Sequence, residues 1–164
     1  MNLLDLLLLV STLLCALTAG FVFAFATVVM PGIGKLDNRA FIRAFQVIDG
    51  IIQAGQPLFG LVWIGSLLAL LIAAVLSVLQ LEGMMRILVV AAAVSYVLGV
   101  QLPTFTINVP LNNALQSLEV DTTSDEALAT ARRDFEERWV RWNSIRTIVA
   151  SAISLALMFV LLQS

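Results

Sequence analysis

Four uncharged stretches set the rhythm of the chain. Leu6–Met30 lies between Asp5 and Pro31, and Leu58–Leu79 follows Gln56-Pro57. Ile87–Val109 follows Arg86, and the shorter Thr147–Leu162 follows Arg146. A helix rises ~1.5 Å per residue, so a hydrocarbon layer of ~30 Å asks for about 20 apolar residues. The first three stretches exceed that length and reach across unaided. The fourth covers roughly 24 Å and must draw on Trp142-Asn143-Ser144-Ile145-Arg146. Trp139 and Trp142 then fall at the depth where indole rings gather. Arg146 is held at the hydrocarbon edge, where it must snorkel outward or find a partner. Lipid offers the backbone no hydrogen bonds, so each stretch must be helical. The pattern predicts an all-α protein: a four-helix transmembrane bundle in a single membrane domain over 1–164. Its spans are expected at about 6–30, 57–80, 86–109 and 143–163.

Between the spans the period persists but one face turns polar. Phe41, Ala44, Phe45, Ile48, Ile51 and Ile52 recur at helical spacing, with Arg39, Arg43, Gln46 and Gln53 opposite. This predicts an amphipathic helix over about 38–53, capped by the Asp37 carboxylate. Gly50 and Gly55-Gln56-Pro57 are expected to end it. Thr123-Ser124-Asp125-Glu126 has the form of a capping box with Thr123 as N-cap. No Pro or Gly follows up to Ser164. One helix of about 40 residues is expected, its first half (about 124–142) standing outside the membrane. Four i,i+4 ion pairs would solubilise it: Arg132–Glu136, Arg133–Glu137, Asp134–Arg138 and Glu137–Arg141. Its apolar stripe reads Leu128, Ala131, Phe135 and Trp142, with Trp139 beside it. The natural partner is the Phe41, Phe45 and Ile48 face, so the two helices are expected to cap one mouth of the bundle.

The second and third spans form a hairpin through Leu81–Met85. The third ends on Gln101-Leu-Pro-Thr-Phe-Thr-Ile-Asn-Val-Pro-Leu-Asn-Asn113. Pro103 should kink the helix and free a carbonyl, which Thr104, Thr106 and Asn108 are placed to satisfy. Pro110 is expected to end or redirect the span. Gly20, Gly60, Gly65 and Gly99 offer close helix contacts. Val29-Met30-Pro31 and Asn108-Val109-Pro110 echo one another, as a repeat or as the common habit of proline at helix ends.

Composition narrows the chemistry. The chain is 60% hydrophobic and 12% charged, with a net charge of −2. An ordinary soluble domain carries about twice that share of charge. The balance excludes electrostatic capture of nucleic acid. There is no histidine and one cysteine. That excludes Cys/His zinc sites, histidine-ligated haem, a Ser-His-Asp triad and an intrachain disulfide. No metal site and no cofactor are expected. Cys15, inside the first span, reads as a small buried apolar residue. The first run lacks a basic n-region and is too long for a signal peptide, so Met1 is expected to stay on the mature chain. Loops one and three carry eight Lys and Arg against one in the second loop. The positive-inside rule places those loops in the cytoplasm and both termini outside, in a plasma or inner membrane.

Candidate chemistry gathers in two segments. On a helix, Trp139, Trp142, Asn143 and Arg146 fall on one face, at i, i+3, i+4 and i+7. With Asn108, Asn112 and Asn113 they would place amides, indoles and a guanidinium near one mouth, able to hold a polar group. The plainer reading is caps and interfacial anchors.

The chain resembles the anthrone-oxygenase-like family of small four-helix membrane proteins. The matching residues are Met30-Pro31-Gly32, Leu36-Asp37, Phe41, Phe45-Gln46, Asn108-Val-Pro-Leu-Asn112-Asn113 and Trp139-x-x-Trp142-Asn143-x-x-Arg146. Asp49 stands where a neutral amide is expected. The resemblance implies a metal-independent oxygenation of an anthrone-like aromatic. A base removes an acidic ring proton and the carbanion meets oxygen. Asp37, Asp49 and Glu136 are the candidate bases. Arg43, Arg146 and the asparagines are candidate oxyanion partners, and Gln46 joins them as a ligand contact. Nothing in the residues demands catalysis. The preferred expectation is a membrane protein that binds a hydrophobic small molecule or lipid, or serves a membrane complex. The oxygenase-like enzyme is the alternative and a small oligomeric transporter a third. Partners are expected to be the bilayer, a hydrophobic small molecule and a second copy of the chain.

Overall fold

The computed structural model describes residues 2–163. Met1 and Ser164, and with them the expectation that Met1 is retained, lie outside the described residues. Five helices account for the fold: α1 (Leu3–Ile33), α2 (Asn38–Gln53), α3 (Pro57–Gln80), α4 (Gly83–Gln116) and α5 (Asp125–Gln163). All but α2 are long and apolar enough to cross a membrane. The protein is an all-helical, multi-pass integral membrane protein. Its spans form a ring in which α1 touches α3 and α5, and α4 touches α3 and α5. Leucines and valines such as Leu61, Leu68 and Val75 point outward. Helices apolar on every side are what a lipid solvent requires.

Caps set the helix starts. α1 begins before the first uncharged run because Asn2 and Asp5 cap each other. Asn2 Oδ1 accepts from the Asp5 amide at 2.9 Å, and Asp5 Oδ2 accepts from the Asn2 amide at 2.8 Å. Asp37 accepts from the Ala40 amide at 2.8 Å, as expected. Gly50 does not end α2; the chain turns at Gly55, whose φ of 81° suits glycine alone. The third-loop capping box does not form. The Thr123 hydroxyl is spent on the Glu119 carbonyl at 2.7 Å, and Ser124 Oγ accepts from the Ala127 amide at 3.3 Å instead.

Proline shapes the spans differently from expectation. Pro110 does not end α4, which runs on to Gln116. Wide π turns occupy Phe25–Val29, Val97–Gln101 and Thr104–Asn108. Each ends two residues before a proline: Pro31, Pro103 and Pro110. In each, the residue just before the proline donates five residues back: Met30 to Phe25, Leu102 to Val97, Val109 to Thr104. Widening the turn takes the pyrrolidine ring past the carbonyl it would strike in a regular helix. Thr104 and Thr106 donate to the Val100 and Leu102 carbonyls, both at 2.7 Å, as expected. Asn108 does not; it reaches across to α5.

The N-terminal half of α5 packs on α2. Phe45 meets Phe135 edge-on at 4.6 Å and Trp139 at 5.7 Å between ring centroids. Trp139 is buried and takes the inward place; Trp142 is half-buried beside it, the reverse of the expected stripe. Arg132 ties the α1–α2 turn to α5. It donates to the Gly34 carbonyl (2.7 Å), the Leu36 carbonyl (2.8 Å) and Glu136 (2.7 Å), and lies over the Phe41 ring. Of the four expected pairs along α5, only Arg132–Glu136 forms among the described residues. The others are exposed, where hydration competes with a weak attraction. Gly99 and Gly65 do sit against a neighbouring helix. A Cβ would lie 2.9 Å from Val149 at Gly99 and 3.2 Å from Leu14 at Gly65, whereas Gly20 and Gly60 have no neighbour within 4 Å.

Candidate functional site

A cavity of about 440 Å³ lies between the capping helices and the bundle. That is within the usual range for a small-molecule site. Its floor and sides come from Phe21 and Phe25 of α1, Trp63 of α3, Thr104 and Asn108 of α4, and Asn143 and Arg146 of α5. Asp49 and Gln53 of α2 form its roof with Asn112 and Asn113 of α4. Most of the lining is apolar, so its few polar groups decide what it holds.

At the roof, Asp49 is buried and accepts from three amides: Asn112 Nδ2 (2.7 Å), Gln53 Nε2 (2.7 Å) and Gln116 Nε2 (3.1 Å). Asn112 Oδ1 accepts from the Trp139 indole at 2.7 Å. A single network thus ties α2, α4 and α5 together. Gln46 extends it outside the cavity by donating to the Leu115 and Leu118 carbonyls.

Deeper, Arg146 is 4% exposed. It donates to Thr104 Oγ1 and to Asn143 Oδ1, both at 2.9 Å. Asn143 in turn donates to the Val22 carbonyl at 2.9 Å, fixing its amide oxygen toward the guanidinium. Asn143 lies one turn back on the same helix, and Thr104 lies one turn before the Asn108–Asn113 segment of α4, which Arg146 does not bond. Arg146 forms no ion pair among the described residues. Its Nε–H has no partner, and neither has Asn108 Oδ1, whose Nδ2 donates to the Trp139 carbonyl at 3.3 Å. A third unpartnered atom, Gln101 Nε2, lies behind Trp63, whose indole donates to Gln101 Oε1 at 3.0 Å. Buried polar atoms without partners are rare and costly in a folded protein. Here two of the three belong to residues that line the cavity.

The structure therefore brings together Asp49, Asn108, Asn112, Asn113, Trp139, Asn143 and Arg146. It leaves Asp37, Arg43, Gln46, Glu136 and Trp142 outside the cavity wall. Asp37 is a helix cap, Glu136 is held by Arg132, and Arg43 pairs with Asp121 on the outer surface. Sequence reading missed Gln53, Thr104, Gln116 and Trp63. The signal for two of them was present: Gln53 follows Asp49 by four residues, and Gln116 follows Asn112 by four. Among the described residues, no three His, Cys, Asp or Glu side chains are grouped so as to hold a metal ion.

Comparison with known proteins bears on the same segments. The family model described as anthrone oxygenase matches residues 50–156. The chain belongs to this family. The match includes the Asn108–Asn113 and Trp139–Arg146 segments that build the cavity, and Asp49 falls one residue before it. No curated protein and no solved structure matches the chain. This member of the anthrone oxygenase family sets a carboxylate in the cavity roof and, near its floor, a guanidinium that has no ion pair among the described residues.

Proposed function

We propose that this protein binds a hydrophobic small molecule within the membrane, in the cavity beneath α2, with an oxygen of the ligand on Arg146. One observation carries the reading: a buried guanidinium with an unpartnered Nε–H lines a mostly apolar cavity. A charge at this depth is expensive unless something answers it. The rings of Phe21, Phe25, Phe45, Trp63 and Trp139 supply a surface suited to a planar or aliphatic body.

The test compares 1-naphthol with naphthalene on detergent-purified protein. Arg146→Ala should weaken 1-naphthol about tenfold or more and leave naphthalene unchanged, since a hydrogen bond to a charged donor is worth about 1.5–3 kcal/mol. Arg146→Lys should lose much of the same affinity, because an ammonium cannot reproduce the planar fork. Equal binding of 1-naphthol by wild type and Arg146→Ala, at equal melting temperature, would reduce Arg146 to an interfacial anchor.

Family membership favours a second reading, oxygenation of an anthrone-like aromatic, and Asp49 is the one candidate base in the cavity wall. Asp49 would take a proton from an acidic ring CH₂. The carbanion would be oxidised by dioxygen to the ketone, with release of water, while Arg146 steadies the oxygen anion. Oxygen uptake by wild type with anthrone, lost in Asp49→Asn, would support this reading; no uptake above the spontaneous rate would end it.

A further inference from the structure

We propose that the natural ligand is a single-chain organic acid. Its carboxylate sits on Arg146, and its alkyl chain leaves sideways to the bilayer through an apolar groove between α1, α2 and α3. This rests on the binding reading above and names its ligand class.

The groove has a volume of about 400 Å³, and Leu17, Ile48, Ile51, Leu58 and Val62 line it without joining the cavity wall. Leu17, Ile51 and Leu58 are exposed. Cavity and groove share Phe21, Phe25, Ile52, Gln56, Phe59 and Trp63. These six residues therefore stand between the two spaces. Phe59 stacks on Trp63 at 5.4 Å and meets Phe21 edge-on at 5.2 Å. Gly60, next in the chain, has open space where a Cβ would stand. Phe59 is half-buried, and a rotamer change of its ring would open a path between the two spaces.

The acid end follows from the guanidinium. Arg146 has five N–H groups and spends two, on Thr104 and Asn143. A carboxylate is the group that both neutralises the charge and fits the fork. Asp49 does not oppose it. Three amides hold that carboxylate at the roof. Trp139, which anchors the roof network, precedes Arg146 by seven residues, ~10 Å along α5. The occupant of the groove follows from its setting. It opens past exposed apolar side chains and continues the wall of a charged cavity, so the chain that fills it belongs to the molecule whose head lies inside.

Equilibrium binding to protein in nanodiscs tests this with three probes: palmitate, hexadecanol and 1-naphthoate. Palmitate should bind at least tenfold more tightly than hexadecanol, and Arg146→Met should erase that difference. Val62→Trp fills the groove alone; it should weaken palmitate at least tenfold and leave 1-naphthoate unchanged. Leu58→Trp gives a second, exposed block should the first fail to fold. If both block variants bind palmitate as wild type does, the sideways route is overturned while an Arg146 site stands. If hexadecanol equals palmitate, the acid end is overturned. If wild type binds none of the three probes, this proposal falls, and failure of 1-naphthol as well removes the binding reading beneath it.

Discussion

Asp49 shows how one side chain can hold a helix in place. Its oxygens accept from amides on its own helix and on α4, and no cation pairs with it among the described residues. Removing it takes the acceptor from three amides, those of half-buried Asn112 and Gln116 and of exposed Gln53. Asp49→Ala should cost about 1–3 kcal/mol and make the α2–α3 turn at Gly55 easier to cleave, seen as a lower melting temperature and faster limited proteolysis. An unchanged melting temperature would mean that the amides find other partners. At this scale the sequence was half-legible. Arg146 stood out because the apolar run behind it is too short to span alone. Its partner Thr104 did not, because a threonine near a proline reads first as backbone repair, and Thr104 does serve the Val100 carbonyl as well. Trp139 and Trp142 were expected in the wrong order, since three residues on a helix differ by only about 60°. Packing against Phe45 and Phe135 decided between them.

The elements were legible wherever polarity and period agree. The bounds of α2 follow its apolar stripe and its Asp37 cap, and α5 is a continuous helix of 39 residues. The extent of α4 was not legible, because a proline ends most helices and only a widened turn lets this one continue. The turn between α1 and α2 has its own constraint. At Gly34 a Cβ would stand 2.9 Å from the Met30 carbonyl oxygen and 3.2 Å from Glu136 Oε1. Backbone cannot yield cheaply, and Glu136 is held by Arg132. Gly34→Ala should therefore cost about 1–3 kcal/mol. Because Arg132 donates to the carbonyl of Gly34 itself and holds Glu136, Gly34→Ala and Arg132→Ala should be less than additive in combination, measured as melting temperatures of the single and double variants. Strict additivity would show that the turn and the arginine act separately.

For the molecule as a whole, hydropathy alone was enough for the architecture, because only helices satisfy the backbone in lipid. The cavity was not foreseeable, since it depends on how far α2 folds back over the bundle. Its orientation in the membrane is our proposal, from eight basic residues on one side against one on the other. Single cysteines placed at Thr122 and at Glu82, in a Cys15→Ala background, should report it in intact cells. The Glu82 site should react with an impermeant thiol reagent and the Thr122 site should not. The opposite result would invert the topology and place the α2 cap outside.

The widened turns also act as a register device. In a regular helix, the sixteen residues from Tyr96 to Asn112 would leave these side chains about 160° apart, one inward and one toward lipid. Each wide turn takes up one residue without adding rotation, and two of them lie between the pair. The net angle becomes about 40°. Tyr96 can then bond Ser66 in the core while Asn112 bonds Asp49 in the roof. The same shift carries Gln116 inward with Asn112. Removing one residue from either turn would rotate everything beyond it by about 100° and swing the amide stripe away from α2, although composition and hydropathy would hardly change.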